Sequence, residues 1–326
     1  MLTRRSGLRA AFGASLGAGL LARPGAGFAA APQRGGQVAA WYRFRLGGFE
    51  CTVVSDGAIA LAPPHPTFGA GVATPEQVEQ ALRAAFLATD SLPVQLNCLV
   101  VNTGRALILL DAGVGPQPLF GPGTGRIAQA LRAAGIEPAE IDLVAFTHAH
   151  PDHSWGIADA AGADIFPNAR YAITARDFAA WTDEAMLAQP APIRDFVAGT
   201  RALFLPRRER FTLMPPGAEL VPGIRAVPTP GHTIGHASFL LEDGGRRLLV
   251  LGDVANHHVL ALRRPDWPFA FDSDPALAAE TRRRTLEMAA RERLELLAYH
   301  FPWPGLGHVE AAGQGYAWTP SPWTWG

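Results

Sequence analysis

Six consecutive residues, His148-Ala149-His150-Pro151-Asp152-His153, carry four side chains able to hold a metal ion. Imidazole and carboxylate without thiolate suit borderline divalent cations, zinc first, with iron or manganese as alternatives. His148 and His150 alternate and can share one cation, whereas Asp152 and His153 lie past Pro151 and can turn towards a second. A surface cluster would spell the same letters, but histidine is scarce: there are ten in 326 residues, and five of them occupy the candidate ligand positions.

Three further residues share this chemistry. His232, in the Pro/Gly-shaped segment Thr229-Pro230-Gly231-His232-Thr233-Ile234-Gly235-His236, is the candidate third nitrogen ligand of the first cation. Asp253 ends the apolar run Leu249-Val250-Leu251-Gly252, and its two oxygens can bridge cations about 3.5–4 Å apart. His300 ends a similar run and offers an imidazole to the second cation. Each alone is weak, and their order makes them specific together. Asp111, followed by Ala112-Gly113 at the end of another apolar run, is placed to accept the outer ring N–H of a ligating histidine and so fix its tautomer. His236 and His308 read as structural hydrogen-bond partners and Asp56 as a turn residue. His65, His257 and His258 read as surface, with pocket lining the alternative for the adjacent pair.

A water shared by two such cations would have its pKa brought down to about 7. The bridging hydroxide could then attack an ester or lactone carbonyl, or a phosphotriester phosphorus, while a cation polarises the substrate oxygen. Asp253 and Asp152 are accordingly the candidate catalytic carboxylates. No serine nucleophile is required, and the one G-x-S-x-G string, Gly13-Ala14-Ser15-Leu16-Gly17, falls within the signal-like segment rather than at the end of a strand-like run. The chain has no lysine, which excludes a Schiff base.

The elements that must position these groups are legible as strand-like runs ending at them. Residues 49–55 read as a strand, Asp56-Gly57 as a hairpin turn and 58–61 as its return. Thr74 caps a helix that opens at Pro75 and runs to about residue 87. Strands at 96–102 and 106–110 lead to Asp111, and a buried strand at 142–146 leads into His148, with helix restarting at about His153. A strand at 170–174, helices at 175–187 and 193–205, and three or four short strands within 211–227 follow. Strands at 238–241 and 247–251 pair through Asp243-Gly244-Gly245, and a long helix at 275–293 precedes a strand at 294–298. Strands then helices, twice over, imply an α+β fold, an αββα sandwich of two facing mixed sheets with helices outside.

Composition bounds the function. With 48% hydrophobic residues the chain can bury a large core, and with a net charge of −1 and no basic block it lacks the footprint of a nucleic-acid binder. Thr3-Arg4-Arg5, a Gly/Ala-rich run and the small residues up to 31 resemble a twin-arginine export signal, which predicts a periplasmic or secreted protein. The run is shorter than the ~20 apolar residues a bilayer span needs, so no stable membrane span is expected. Residues 32–48 then read as a linker and 49–326 as the catalytic domain. Removing residues 1–31 leaves 24 arginines against 29 acids, a net charge of −5. Cys51 and Cys98 lie in apolar runs and read as buried free thiols, too few for a disulfide scaffold.

The series of ligand positions resembles the metallo-β-lactamase superfamily over nearly all of the chain after the signal. That resemblance implies a first metal on His148, His150 and His232, a second on Asp152, His153 and His300, and Asp253 as the bridge. The true β-lactamases of that superfamily lack the bridging Asp, which argues against penicillin-type substrates. The run Tyr299-His300-Phe301-Pro302-Trp303-Pro304-Gly305-Leu306-Gly307-His308 is similar to the methyl parathion hydrolase group, which sits among lactonases and arylesterases. In that group aromatic residues surround the leaving group, and Phe120, Trp181 and Phe196 correspond, although the helical segments around the last two need apolar residues in any case. The resemblance implies a dinuclear hydrolase of uncharged esters, lactones or phosphotriesters, with two Zn2+ per chain, a small-molecule substrate and a homodimer. Two alternatives stand: a mononuclear iron dioxygenase of the persulfide type on the same fold, and a non-catalytic metal-binding module whose site would be closed and fully liganded.

Overall fold

A computed structural model describes residues 40–324. The expected export signal at 1–31 lies outside the described residues.

Fourteen strands form two seven-stranded sheets among these residues. The first sheet runs in chain order: β1 (Trp41–Leu46), β2 (Phe49–Leu61), β3 (Leu92–Asn102), β4 (Leu107–Leu110), β5 (Leu143–Ala145), β6 (Arg170–Thr174) and β7 (Phe211–Met214). The second contains β8 (Glu219–Val221), β9 (Ile224–Pro228), β10 (Ala237–Asp243), β11 (Arg246–Val250), β12 (Glu295–Leu297), β13 (Leu306–Ala312) and β14 (Gly315–Pro320), again as sequential neighbours.

Side-chain alternation along the strands builds the layers. Cys51, Val53, Leu99, Val101, Ile108 and Leu110 of the first sheet meet Phe239, Leu241, Leu248, Val250 and Leu297 of the second in a core between the sheets. Their neighbours Val54, Cys98, Val100 and Leu109 face outwards, onto Ile127, Leu131, Val197 and Phe204 of the covering helices. On the far side Leu249 and Leu296 pack against Leu286 and Ala289 of the helix Pro275–Glu292. The result is the expected αββα sandwich. Cys51 and Cys98 are free and buried, and because they occupy opposite faces of the first sheet they have no route to a common disulfide.

Two expectations need correction. The fold starts upstream of Phe49, since β1 lies inside the stretch read as linker and pairs antiparallel with β2 from Trp41↔Val54 to Leu46↔Phe49. Asp56-Gly57 does not reverse the chain either: β2 continues through it as one 13-residue strand, with a bulge between Ser55 and Gly57. Both flanks of the dipeptide pair with β3, which leaves no room for a hairpin, and the bulge turns the Asp56 carboxylate inwards. Its Oδ1 accepts from Ile127 N at 2.7 Å and its Oδ2 from Val114 N at 2.8 Å and Gly125 N at 3.3 Å.

Strand direction places the site. β4 to β7 are mutually parallel, as are β11 and β12, so the segments leaving β4, β5 and β6 share one edge of the first sheet and those leaving β11 and β12 one edge of the second. Asn97 on β3 joins the two sheets at this edge, where its Nδ2 donates to Ala298 O at 3.3 Å and Phe301 O at 2.9 Å.

Candidate metal centre

His148, His150, Asp152 and His153 follow β5, His232 follows β9, Asp253 follows β11 and His300 follows β12. All seven converge. One group comprises His148, His150, His232 and Asp253, and another Asp152, His153 and His300; within each group the potential ligand atoms lie within 4.8 Å of one another. Asp253 faces both. Its Oδ2 is 3.1 Å from His232 Nε2 and 4.0 Å from His148 Nε2, its Oδ1 is 3.1 Å from His153 Nε2, and His300 Nε2 is 3.2 Å from each oxygen. Asp152 Oδ2 closes the second group at 3.5 Å from His300 Nε2 and 3.7 Å from His153 Nε2.

Hydrogen bonds on the outer nitrogens fix which ring atom turns inwards. His300 Nδ1 donates to the main-chain oxygen of Gln95 at 2.9 Å, His153 Nδ1 to Asp111 Oδ2 at 2.9 Å and His232 Nδ1 to Asp272 Oδ1 at 2.9 Å. Thr147 Oγ1 donates to Asp111 Oδ2 at 2.9 Å, so it accepts from His148 Nδ1 at 3.0 Å. Four rings therefore direct Nε2 into the cluster. His150 alone presents Nδ1, at 2.8 Å from His232 Nε2. Asp111 also accepts the Thr147 N–H at 2.8 Å, from a left-handed backbone with φ of 57°. Such strain in a non-glycine residue persists where the surroundings hold it, and it is concentrated at functional sites.

Burial and the charges of neighbouring side chains set the electrostatics of the cluster. Burial, then the neighbouring imidazoles, hold His148 and His150 well below the usual histidine range. Burial opposes charge on His153 and His232 too, but Asp253 and the other carboxylates outweigh it, raising His153 well above that range and His232 to about 9. Burial would lift Asp253, yet His300, His153 and His232 keep it well below the carboxylate range. His148 Nε2, His153 Nε2 and Asp253 Oδ1 are buried with no hydrogen-bond partner. Buried polar atoms are seldom left so. Asn256 Nδ2 donates to Asp253 Oδ2 at 2.8 Å, and the unpartnered lone pairs that remain fit divalent cations, with no thiolate in either group.

Other residues proved structural or escaped notice. His236 is no ligand: its Nε2 accepts the Asp253 N–H at 2.9 Å and its Nδ1 meets Thr229 Oγ1 at 2.8 Å. Burial, then His232, push it down to about 3, in keeping with a neutral acceptor. Asp272 and Asp177 had no spacing to mark them. Asp177 is wholly buried, where its carboxylate accepts the main-chain N–H groups of Ala149 and Gly235.

A cleft of about 540 Å³, part of it open to solvent, lies over the cluster, lined by Ile59, Leu61, Val94, Phe120, Pro151, Phe196, Phe269 and Phe271 together with ligand-group residues. Phe120 and Phe196 thus face it. Trp181, expected beside them, is not in the lining; its ring packs edge-on against His150 at 4.8 Å, from within the helical core. The aromatic pair from 269 and 271 was missed because it lies in an irregular segment without periodicity.

Comparison with known proteins agrees with this geometry. The model of the metallo-beta-lactamase superfamily matches residues 92–300. A "Probable metallo-hydrolase" of Mycobacterium tuberculosis is 29% identical over 232 residues, covering 63% of this chain and 70% of that protein. Among solved structures, the dizinc quorum-quenching lactonase AidC, in complex with a product, superposes with a TM-score of 0.82 at 25% identity, covering 89% of this chain and all of that one. The hydrolase AbOPH gives a TM-score of 0.81 at 29% identity with the same coverage.

Proposed function

Because the chain belongs to the metallo-beta-lactamase superfamily, we propose that it is a hydrolase that uses two zinc ions to cleave uncharged esters, lactones or phosphotriesters. The observation that carries this reading is Asp253, whose two oxygens face two separate groups of ligands. When bound, cations there supply Lewis acidity and a water acidic enough to ionise near neutral pH.

The chain's own residues do the rest. His148, His150 and His232 would hold one cation, Asp152, His153 and His300 the other, and Asp253 both. The walls of the cavity are mostly apolar, and among the described residues its ionisable lining groups all belong to the ligand set. Apart from the cations themselves, the lining offers no cationic side chain outside the ligand set to pair with an anionic group, and its apolar walls favour a neutral substrate with apolar arms. The Asp152 side chain is 17% exposed against 4% for Asp253, so Asp152 is the carboxylate more open to substrate and, through the oxygen that does not face His153 and His300, able to pass a proton to the leaving group. The likeness to a dizinc lactonase supports both the metal and a lactone among the substrates. Arg4-Arg5 and the small residues after them support export to the periplasm or beyond.

The test is zinc-loaded protein assayed on an acyl-homoserine lactone, an aryl acetate and an organophosphate triester, with elemental analysis alongside. Two zinc ions per chain and turnover of at least one substrate are expected. One iron per chain, with oxygen uptake on a persulfide, would replace this reading with the dioxygenase.

A further inference from the structure

Arg282 is a buried cation that the chemistry above does not use. It projects from the helix Pro275–Glu292 and is 1% exposed. Its Nε donates to the main-chain oxygen of Val254 at 2.8 Å, immediately after Asp253. Nη1 donates to the oxygens of Pro265 at 3.1 Å and Trp267 at 3.0 Å, and Nη2 to Asp272 Oδ2 at 3.4 Å. Asp272 then reaches both ways: Oδ1 accepts from His232 Nδ1 at 2.9 Å, and Oδ2 accepts the N–H of Phe269 at 3.1 Å. Phe269 and Phe271 are walls of the cavity.

Desolvating a guanidinium is costly, and an apolar side chain would fill the same helical stripe between Ala278 and Leu286. The charge is explained by what it holds. A planar fork can satisfy four acceptors at fixed angles, which an ammonium on a flexible stem cannot.

We propose that Arg282 is a positioning residue that couples the cavity wall to the first ligand group, fixing through Asp272 the orientation of His232 and, with it, the segment bearing Phe269 and Phe271. The inference rests on the reading of this cluster as a metal centre. Substrate shape and the grip on a cation are then linked through one side chain that touches neither.

The experiment compares the full chain with Arg282→Lys, Asp272→Asn and the double variant. Zinc affinity is measured by competition with a chromophoric chelator, and KM for 2-naphthyl acetate is measured relative to phenyl acetate. Asp272→Asn, which alters the outer partner of His232, should weaken zinc binding at one of two sites by about 10–100-fold, and Arg282→Lys should weaken the same site by no more than that. It should also raise the naphthyl KM more than the phenyl KM. If Arg282 acts through Asp272, the double variant binds zinc no more weakly than Asp272→Asn alone. Additive losses, or unchanged zinc affinity with only a lower Tm, would overturn the coupling. Should Arg282→Lys fail to fold, Asp272→Asn decides: zinc affinity and the KM ratio must move together, and movement of only one sinks the proposal. A wild-type chain that takes up no zinc would remove the metal reading itself, and this inference with it.

Discussion

Asp177 Oδ2 accepts the main-chain N–H of Ala149 at 2.7 Å, between the two histidines of the 148–150 segment, while its Oδ1 accepts from Gly235 N at 3.0 Å. One carboxylate thereby clamps the loop that carries His148 and His150 to the loop that carries His232. In Asp177→Asn an NH2 group must face one of those N–H donors, at a cost of about 1–3 kcal/mol. We expect a lower Tm, and zinc affinity at the His148/His150/His232 group reduced by about 10–100-fold with the other group spared. Equal weakening of both sites in a chelator titration would contradict the clamp.

Asp253 allows a sharper outcome. Because its oxygens face both groups, Asp253→Ala should lower the metal content below that of the wild type and abolish ester turnover. Replacement of Asp152, which belongs to one group only, should leave the first group able to bind metal. Elemental analysis of the two purified variants makes the comparison, and an unaltered metal content in Asp253→Ala would exclude the bridging role.

What the sequence revealed follows a physical divide. The 148–153 cluster is contiguous, and Asp253 and His300 end apolar strands, so their placement depends on local patterns that survive in one dimension. Asp272 and Asp177 act across 40 and 28 residues, at positions set only by tertiary packing. Arg282 hid among three successive arginines, yet the buried stripe Ala278, Leu286 and Ala289 passes through it at helical spacing, a signal that was available. Asp56-Gly57 misled because the dipeptide favours a type I′ turn in isolation, whereas pairing of both flanks with β3 overrides that preference.

Asp56 now has a prediction of its own. Both oxygens accept only from main-chain N–H groups, so an amide in its place turns a donor towards donors. Asp56→Asn should lose about 1–3 kcal/mol of stability in urea denaturation. Zinc stoichiometry in the folded fraction should not change, because Asp56 contacts no member of either ligand group. A variant as stable as the wild type would show that the carboxylate organises nothing.

The metal-free protein should respond to pH through His232. Burial disfavours its charge, but Asp253 and Asp272 outweigh burial and raise it to about 9, above its ordinary value of 6.5. The stabilisation this gives is fully present below pH 6.5 and is lost as pH rises through about 9. In chelator the Tm should therefore fall between pH 7 and 9.5, and less steeply in His232→Gln. Zinc must displace that proton, so its apparent affinity should rise over the same interval. A Tm in chelator that stays level from pH 7 to 9.5 would contradict the shift.

Gly252 carries the last prediction, because the residue before the bridging carboxylate is constrained twice. Its φ of 57° lies in the left-handed region, and a Cβ there would stand 2.6 Å from His236 Nε2, the atom that accepts the Asp253 N–H. His236 is 1% exposed and held at its other nitrogen by Thr229, so it cannot swing aside as the tip of a flexible side chain would. Gly252→Ala must then shift either His236 or Asp253 itself, and metal binding and turnover should fall together. Gly313→Ala is the control: its φ is 60°, but a Cβ would meet nothing within 4 Å. That variant should cost only the backbone penalty of about 1–2 kcal/mol and keep full metal content. If both variants lose the same stability and both retain zinc, close packing behind Asp253 is not what holds the bridging carboxylate in place.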